Sequence, residues 1–84
     1  MKATSQKQQI ILLLLEGWTD PITAFKHAGT IKLSTRVGEL REHFNILHRE
    51  KVTESKFGKR VRYFEYKIVK DKNVKNSLEK FGLK

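Results

Sequence analysis

The sequence predicts a small α+β fold with the order helix, helix, helix, antiparallel hairpin, short terminal helix. Two observations carry that order. Apolar residues recur at helical spacing in three segments of the first half, separated by glycine, proline and capping residues, whereas residues 60–68 alternate with a period of two. A third observation sets the scale: 84 residues without a cysteine make a single domain over residues 1–84, held by one small apolar core and by neither disulfides nor thiolate-bound metal. That core is expected over about residues 5–69, with a terminal helix over about 71–82.

The first nine residues are polar, and the first few are expected to fray. Ser5 followed by Gln8 has capping-box spacing. The first helix then runs through Ile10, Ile11, Leu13, Leu14 and Leu15 to Gly17. Its apolar run over residues 10–15 is wider than one surface stripe, which puts the helix beneath the others. The run is too short to span a bilayer and no small-residue cleavage site follows it, so a cytoplasmic, reducing compartment and no membrane partner are expected.

Thr19 or Asp20 caps the second helix, and Pro21 suits its first turn because no N–H is needed there. Ile22, Phe25 and Ala28 recur at three-residue spacing and are expected to face the core, and Gly29 ends the helix. After the turn at residues 29–32, Ser34 or Thr35 is expected to cap a third helix. Its Leu33, Val37, Leu40 and Phe44 stand at i, i+4, i+7 and i+11 and form one core stripe. Asn45 fits a closing residue with positive φ.

Ile46 opens a strand that pairs, roughly over residues 46–53, with residues 60–68 around the loop 54–59. In the second strand Phe64, Tyr66 and Ile68 share one face and are expected to pack on the helices; Arg60 and Arg62 continue that face toward the tip. Asp71 is expected to cap a terminal helix carrying Val74, Leu78 and Phe81 and stopped by Gly82, a stripe that either closes the core or forms a homodimer.

Two short helices joined by a tight glycine-containing turn, with the second leading straight into a basic hairpin, make a winged helix-turn-helix: a three-helix core, a β-hairpin wing and a short C-terminal helix. The charge agrees. Lys and Arg number 18 against 9 for Asp and Glu, a net +9, and a surplus of that size favours a polyanionic partner, nucleic acid first. Residues 49–70 hold eight basic and three acidic side chains, more than half the surplus in about a quarter of the chain.

The expected partner is double-stranded DNA. A helix in the major groove presents its N-terminal half, here Ser34, Thr35, Arg36, Gly38 and Glu39, with Arg41 on the same side. Arg36 can fork onto guanine or pair with Glu39, and Glu39 can accept from cytosine or neutralise an arginine. Gly38 is unfavourable within a helix by roughly 1 kcal/mol against alanine, which points to a close approach by DNA or by a neighbouring helix. Lys56, Lys59, Arg60 and Arg62 are expected to hold phosphate or minor groove, so that the wing supplies affinity and the helix selection. Trp18 reads as a core cap. Phe57, near the hairpin tip, either folds back, wedges into a minor groove or touches a partner. Tyr63 lies opposite the core face.

His27, His43 and His48 form no metal-ligand set. No cofactor is expected, and without a glycine-rich phosphate loop, paired acids or an activated nucleophile neither is an enzyme.

The segment L-S-T-R-V-G-E-L-R-E-H-F-N-I at residues 33–46 resembles the small helix-turn-helix domains of bacteriophages and prophages. Ile22-Thr23, Ala28, Leu33-Ser34, Arg36-Val37, Leu40-Arg41 and Phe44-Asn45-Ile46 take the places of that family's pattern, and Tyr63 or Tyr66 matches its closing tyrosine. The likeness covers about residues 8–68, with His43 where the family usually has glycine. It implies a DNA-binding winged helix-turn-helix, and the expected role is regulation of phage or bacterial transcription. The alternatives are a module that redirects a host protein through Glu39 and Glu42, and an architectural or recombination-directionality factor that bends DNA.

Overall fold

The computed structural model describes residues 5–83, so the expected fraying of the first few residues lies outside the described residues. The chain folds as α1 (Gln6–Glu16), α2 (Pro21–Ala28), α3 (Leu33–Leu40), β1 (Ile46–Glu54), β2 (Arg60–Ile68) and α4 (Val74–Lys80). Four helices with a two-stranded antiparallel hairpin make an α+β architecture compatible with a winged helix.

Local chemistry starts the first two helices where the spacing predicts. Ser5 Oγ accepts from the Gln8 backbone N–H while Gln8 Oε1 accepts from the Ser5 N–H, so two N-terminal donors of α1 are satisfied reciprocally. Asp20 caps α2 by accepting from Thr23 N–H at 2.6 Å, with Pro21 in the first turn. Gly29 ends α2 at φ 71°, where a side chain would be strained, and returns its N–H to the Phe25 carbonyl. Gln6 reaches from α1 to accept none of this but to donate to the Ala28 carbonyl at 3.1 Å, tying the two helices together at that end.

Ile10, Ile11 and Leu14 of α1 are fully buried among α2, β2 and the C-terminal segment. The face that α2 buries differs from the expected one. Ala24 and Ala28 are inside, while Ile22 and Phe25 are 72% and 56% exposed. The two alanines, four apart, let α2 approach the core closely, and residues 22 and 25 lie roughly 200° and 100° away around the helix. In α3 the expected stripe of Leu33, Val37 and Leu40, continued by Phe44, is buried. Its cap is not as expected: Lys32 holds the N-cap position without a side-chain bond, and Ser34 and Thr35 lie inside the helix. The hydroxyl of Thr30 takes the Lys32 N–H instead.

After Leu40 the chain tightens through a turn in which both His43 and Phe44 donate to the Leu40 carbonyl. No non-glycine residue among those described has positive φ, so Asn45 is not the left-handed terminator expected of it; its carbonyl accepts from Val69 and lengthens the hairpin ladder. The hairpin register pairs Ile46 with Ile68 and continues to Glu54 with Arg60. Tyr66 and Ile68 are buried, but Phe64, one step further out, is 43% exposed, because it borders an open groove beside Pro21 and Leu33 rather than the closed core. Thr19 exchanges both backbone hydrogen bonds with Tyr66, at 2.9 and 3.0 Å, so the link between α1 and α2 acts as a short third rung on β2.

The terminal helix packs on its own chain. Val74, Leu78, Phe81 and Leu83 lie against the core, and Phe81 stacks on Phe44 with ring centroids 5.7 Å apart. Ser77 donates its hydroxyl to the His43 carbonyl, and Gln8 donates to that of Phe81. Asn73 rather than Asp71 occupies the N-cap position of α4, and the Asp71 carboxylate accepts from Asn73 N–H just outside the helix.

Candidate nucleic-acid interface

With Leu33, Val37 and Leu40 turned inward, α3 exposes Ser34, Thr35, Gly38 and Glu39, with Arg36 half-buried on the flank. Its charges are already engaged. Arg36 contacts Glu39 at 3.2 Å, and Lys7 of α1 approaches the same carboxylate at 3.6 Å. The Arg36 hydrogen bond, aided by the charges of Arg36 and Lys7, holds the Glu39 carboxyl below its ordinary pKa. Arg41 turns toward the base of the hairpin, where its guanidinium donates to His48 Nδ1 at 3.2 Å. Ser34 and Thr35, released from capping, have hydroxyls without a hydrogen bond among the described residues. A Cβ on Gly38 would meet nothing within 4 Å, so no neighbouring helix of this chain accounts for the glycine.

The register sorts the hairpin charges more sharply than a residue count can. Residues of equal parity share a face. Glu50, Glu54, Arg60 and Arg62 therefore lie together, two acids against two bases, on the outer continuation of the core face. Arg62 comes within 4.0 Å of Glu50, and Arg60 stands opposite Glu54. These arginines, expected to be available to a ligand, have carboxylate neighbours on their own face. The opposite face carries Arg49, Lys51 and Lys67 against Glu65. Arg49 bonds Glu65 at 2.7 Å and lies 4.3 Å over the Trp18 ring, so Trp18 is half-buried beneath a guanidinium rather than capping the core alone.

Lys56 and Lys59 stand apart. They sit in the loop with no acid between Glu54 and Arg60, and neither has an ion pair among the described residues. The loop is built rather than loose. Ser55 donates its N–H to the Lys59 carbonyl at 2.7 Å, its Oγ accepts from the N–H groups of Phe57 and Lys59, and its carbonyl accepts from Gly58. Gly58 adopts φ 80°, the conformation that closes the turn and one that strains any residue with a side chain. Phe57 at the apex is 84% exposed, with Lys56 Nζ 5.6 Å from its ring centre.

A shallow groove of about 280 Å³ joins α3 to the hairpin, lined by Pro21, Ile31, Leu33 and Ser34 on one side and Tyr63 and Phe64 on the other. Sequence patterning did not single out Ile31, which is 80% exposed in the turn before α3, the contact of Lys7 with Glu39, that of His48 with Arg41, or the pairing of Thr19, expected only as a cap candidate, with Tyr66. A turn residue of high apolarity was the available signal for Ile31; the others leave none, because their partners lie on other elements of the fold.

His43 meets Phe81 edge-on and His48 meets Phe64, and among the described residues no three His, Asp or Glu side chains gather as a metal site. Among these residues no helix is long and apolar enough to cross a membrane. Comparison with protein-family models, with curated proteins and with solved structures finds no match.

Proposed function

We propose that this chain is a winged helix-turn-helix protein that binds double-stranded DNA and regulates phage or bacterial transcription. The observation that carries the reading is the hairpin tip, where Lys56 and Lys59 stand free of carboxylates on a hydrogen-bonded loop beyond the core, on the chain's most basic segment. In this reading the wing contacts phosphate and supplies most of the affinity. α3 lies in the major groove, where Ser34 and Thr35 offer uncommitted hydroxyls and Gly38 allows close approach. Arg36 must exchange Glu39 for a base or a phosphate to take part, so its contribution is the difference between two charged partners.

Duplex binding measured across a salt series tests the proposal. About six neutralised phosphates give a log–log slope near −5. A salt-independent interaction, or none at low salt, rejects it. Selection of bound fragments from random DNA then reads sequence preference, and a palindromic outcome reveals a dimer on DNA.

The second reading, a module that binds a host protein, draws on Ile22 and Phe25, exposed one turn apart on α2, since large apolar side chains adjacent on a surface mark contact sites. Under that reading Arg60→Ala with Arg62→Ala leaves partner binding intact, and substitution of Ile22 and Phe25 abolishes it.

A further inference from the structure

Among the described residues, Phe57 is the most exposed large apolar side chain. Its position is not the accident of a slack loop, because four hydrogen bonds organise residues 55–59 around Ser55 and hold the apex away from the strands. The apex also stands far out. Tyr66 is the last buried residue of β2, and the six residues from there to Arg60 span about 20 Å of strand. No part of the core is within reach for the ring to fold back on. Around it are Lys56, Lys59 and Arg60, with no acid in the loop between Glu54 and Arg60.

We infer that Phe57 is a wedge that enters the DNA minor groove and partly unstacks a base step, so that the protein bends the duplex it binds. This rests on the DNA-binding reading above and adds to it a residue and a mechanical consequence. The dimensions favour a single side chain over the whole hairpin. The two strands are about 4.8 Å apart between backbone axes, and with their side chains they exceed a minor groove about 6 Å wide. A phenyl ring at the apex is narrow enough to enter, while Lys56, Lys59 and Arg60 remain at the groove edges against the phosphates. Apolar wedges delivered between cations in this way open the minor groove and kink DNA toward the major groove, most readily at pyrimidine–purine steps. An anionic membrane surface would meet the same cations, but the hairpin's other exposed apolar side chains are divided between its two faces, Val52 and Phe64 on one and Leu47 and Val61 on the other, so they form no single apolar face with the ring, which favours a groove.

The probe is a duplex of about 20 base pairs with a central TpA step, carrying 2-aminopurine at that step and a donor–acceptor dye pair at its ends, mixed with the full chain at low salt. The intact protein is expected to raise 2-aminopurine emission and shorten the end-to-end distance. Phe57→Ala should bind about tenfold more weakly, lose both signals, and keep the salt slope because no charge is removed. Phe57→Trp should restore the bend. A wild-type complex that is straight, or a Phe57→Ala complex bent as strongly as wild type, overturns the wedge while leaving DNA binding in place. If the intact protein fails to bind the duplex but sediments with phosphatidylserine vesicles through Phe57, the DNA reading falls and the tip is a lipid anchor. Circular dichroism of both variants confirms that the fold is retained, as expected for an exposed position.

Discussion

The outer face of α3 and the tip of the hairpin both carry cations, yet they are built in opposite ways. On α3, Arg36 and Lys7 converge on Glu39, and Arg41 is drawn off to His48. At the tip, Lys56 and Lys59 face solvent with the backbone beneath them fixed by Ser55. Between these extremes lie Arg60 and Arg62, whose face carries Glu54 and Glu50. A partner approaching this surface meets no ion pair at Lys56 or Lys59 and must compete with carboxylates at Arg36 and Arg62. Under the proposed function, attraction begins at the tip, and the contacts on α3 are made only where the DNA offers Arg36 something better than Glu39.

The largest effect that separates the two regions is on stability. Leu40 is fully buried on the inner side of α3, and Leu40→Ala should lower the unfolding free energy by about 2–5 kcal/mol in urea titrations. Tip substitutions should leave the midpoint unchanged. Next is affinity. Replacing Lys56, Lys59, Arg60 and Arg62 together with alanine should weaken duplex binding on the order of a hundredfold and flatten the salt slope by about 3 to 4. Split into pairs, Lys56 with Lys59 should account for the larger share, and equal shares would show that the carboxylates beside Arg60 and Arg62 yield to DNA without resistance. Fluorescence anisotropy over a salt series reads both.

Gly38→Ala probes α3 in two directions at once. Its Cβ has open space, so thermal stability should rise by up to about 1 kcal/mol. If α3 lies against DNA at this point, duplex affinity should fall in the same variant, and a gain in both would remove Gly38 from the interface. The smallest effect concerns Glu39. Its carboxyl is held below the ordinary value in the folded chain, so its stabilising contribution is present above the unfolded pKa near 4.5 and disappears as pH falls through the lower folded value. Carboxyl-carbon NMR titration should show the depressed midpoint, and Arg36→Ala should return it toward normal. Glu39→Gln should strengthen duplex binding by releasing two cations.

Much of this surface could be read from residue order. Ser5 with Gln8, Asp20 with Pro21, and Gly29 act through neighbours a turn away, so their roles follow from spacing and appear as expected. The α3 stripe and the hairpin pairing were legible for the same reason. Expectations failed where two solutions compete, as they do at Asp71, which yields the N-cap of α4 to Asn73. Ser34 could cap α3, but Thr30 satisfies the turn first and the helix begins one residue ahead of it. Ile22 and Phe25 look like a core stripe, but Ala24 and Ala28 permit tighter packing. Asn45 could terminate a helix, but its carbonyl is needed by Val69.

Residue types and their spacing already determined the starts of α1 and α2, the α3 core stripe, the alternation of β2 and the excess of positive charge around the hairpin, because each depends on residues a few positions apart. Only tertiary structure decided which of those charges remain available. Glu39 lies between Arg36 and a lysine from another helix, Glu50 lies within 4.0 Å of Arg62, and strand register sets Glu54 opposite Arg60. It also decided that the terminal stripe of Val74, Leu78 and Phe81 lies on its own core, with Phe81 stacked on Phe44. Charge is additive along a chain, but its availability depends on distances between residues far apart in sequence, and those distances exist only once the chain has folded.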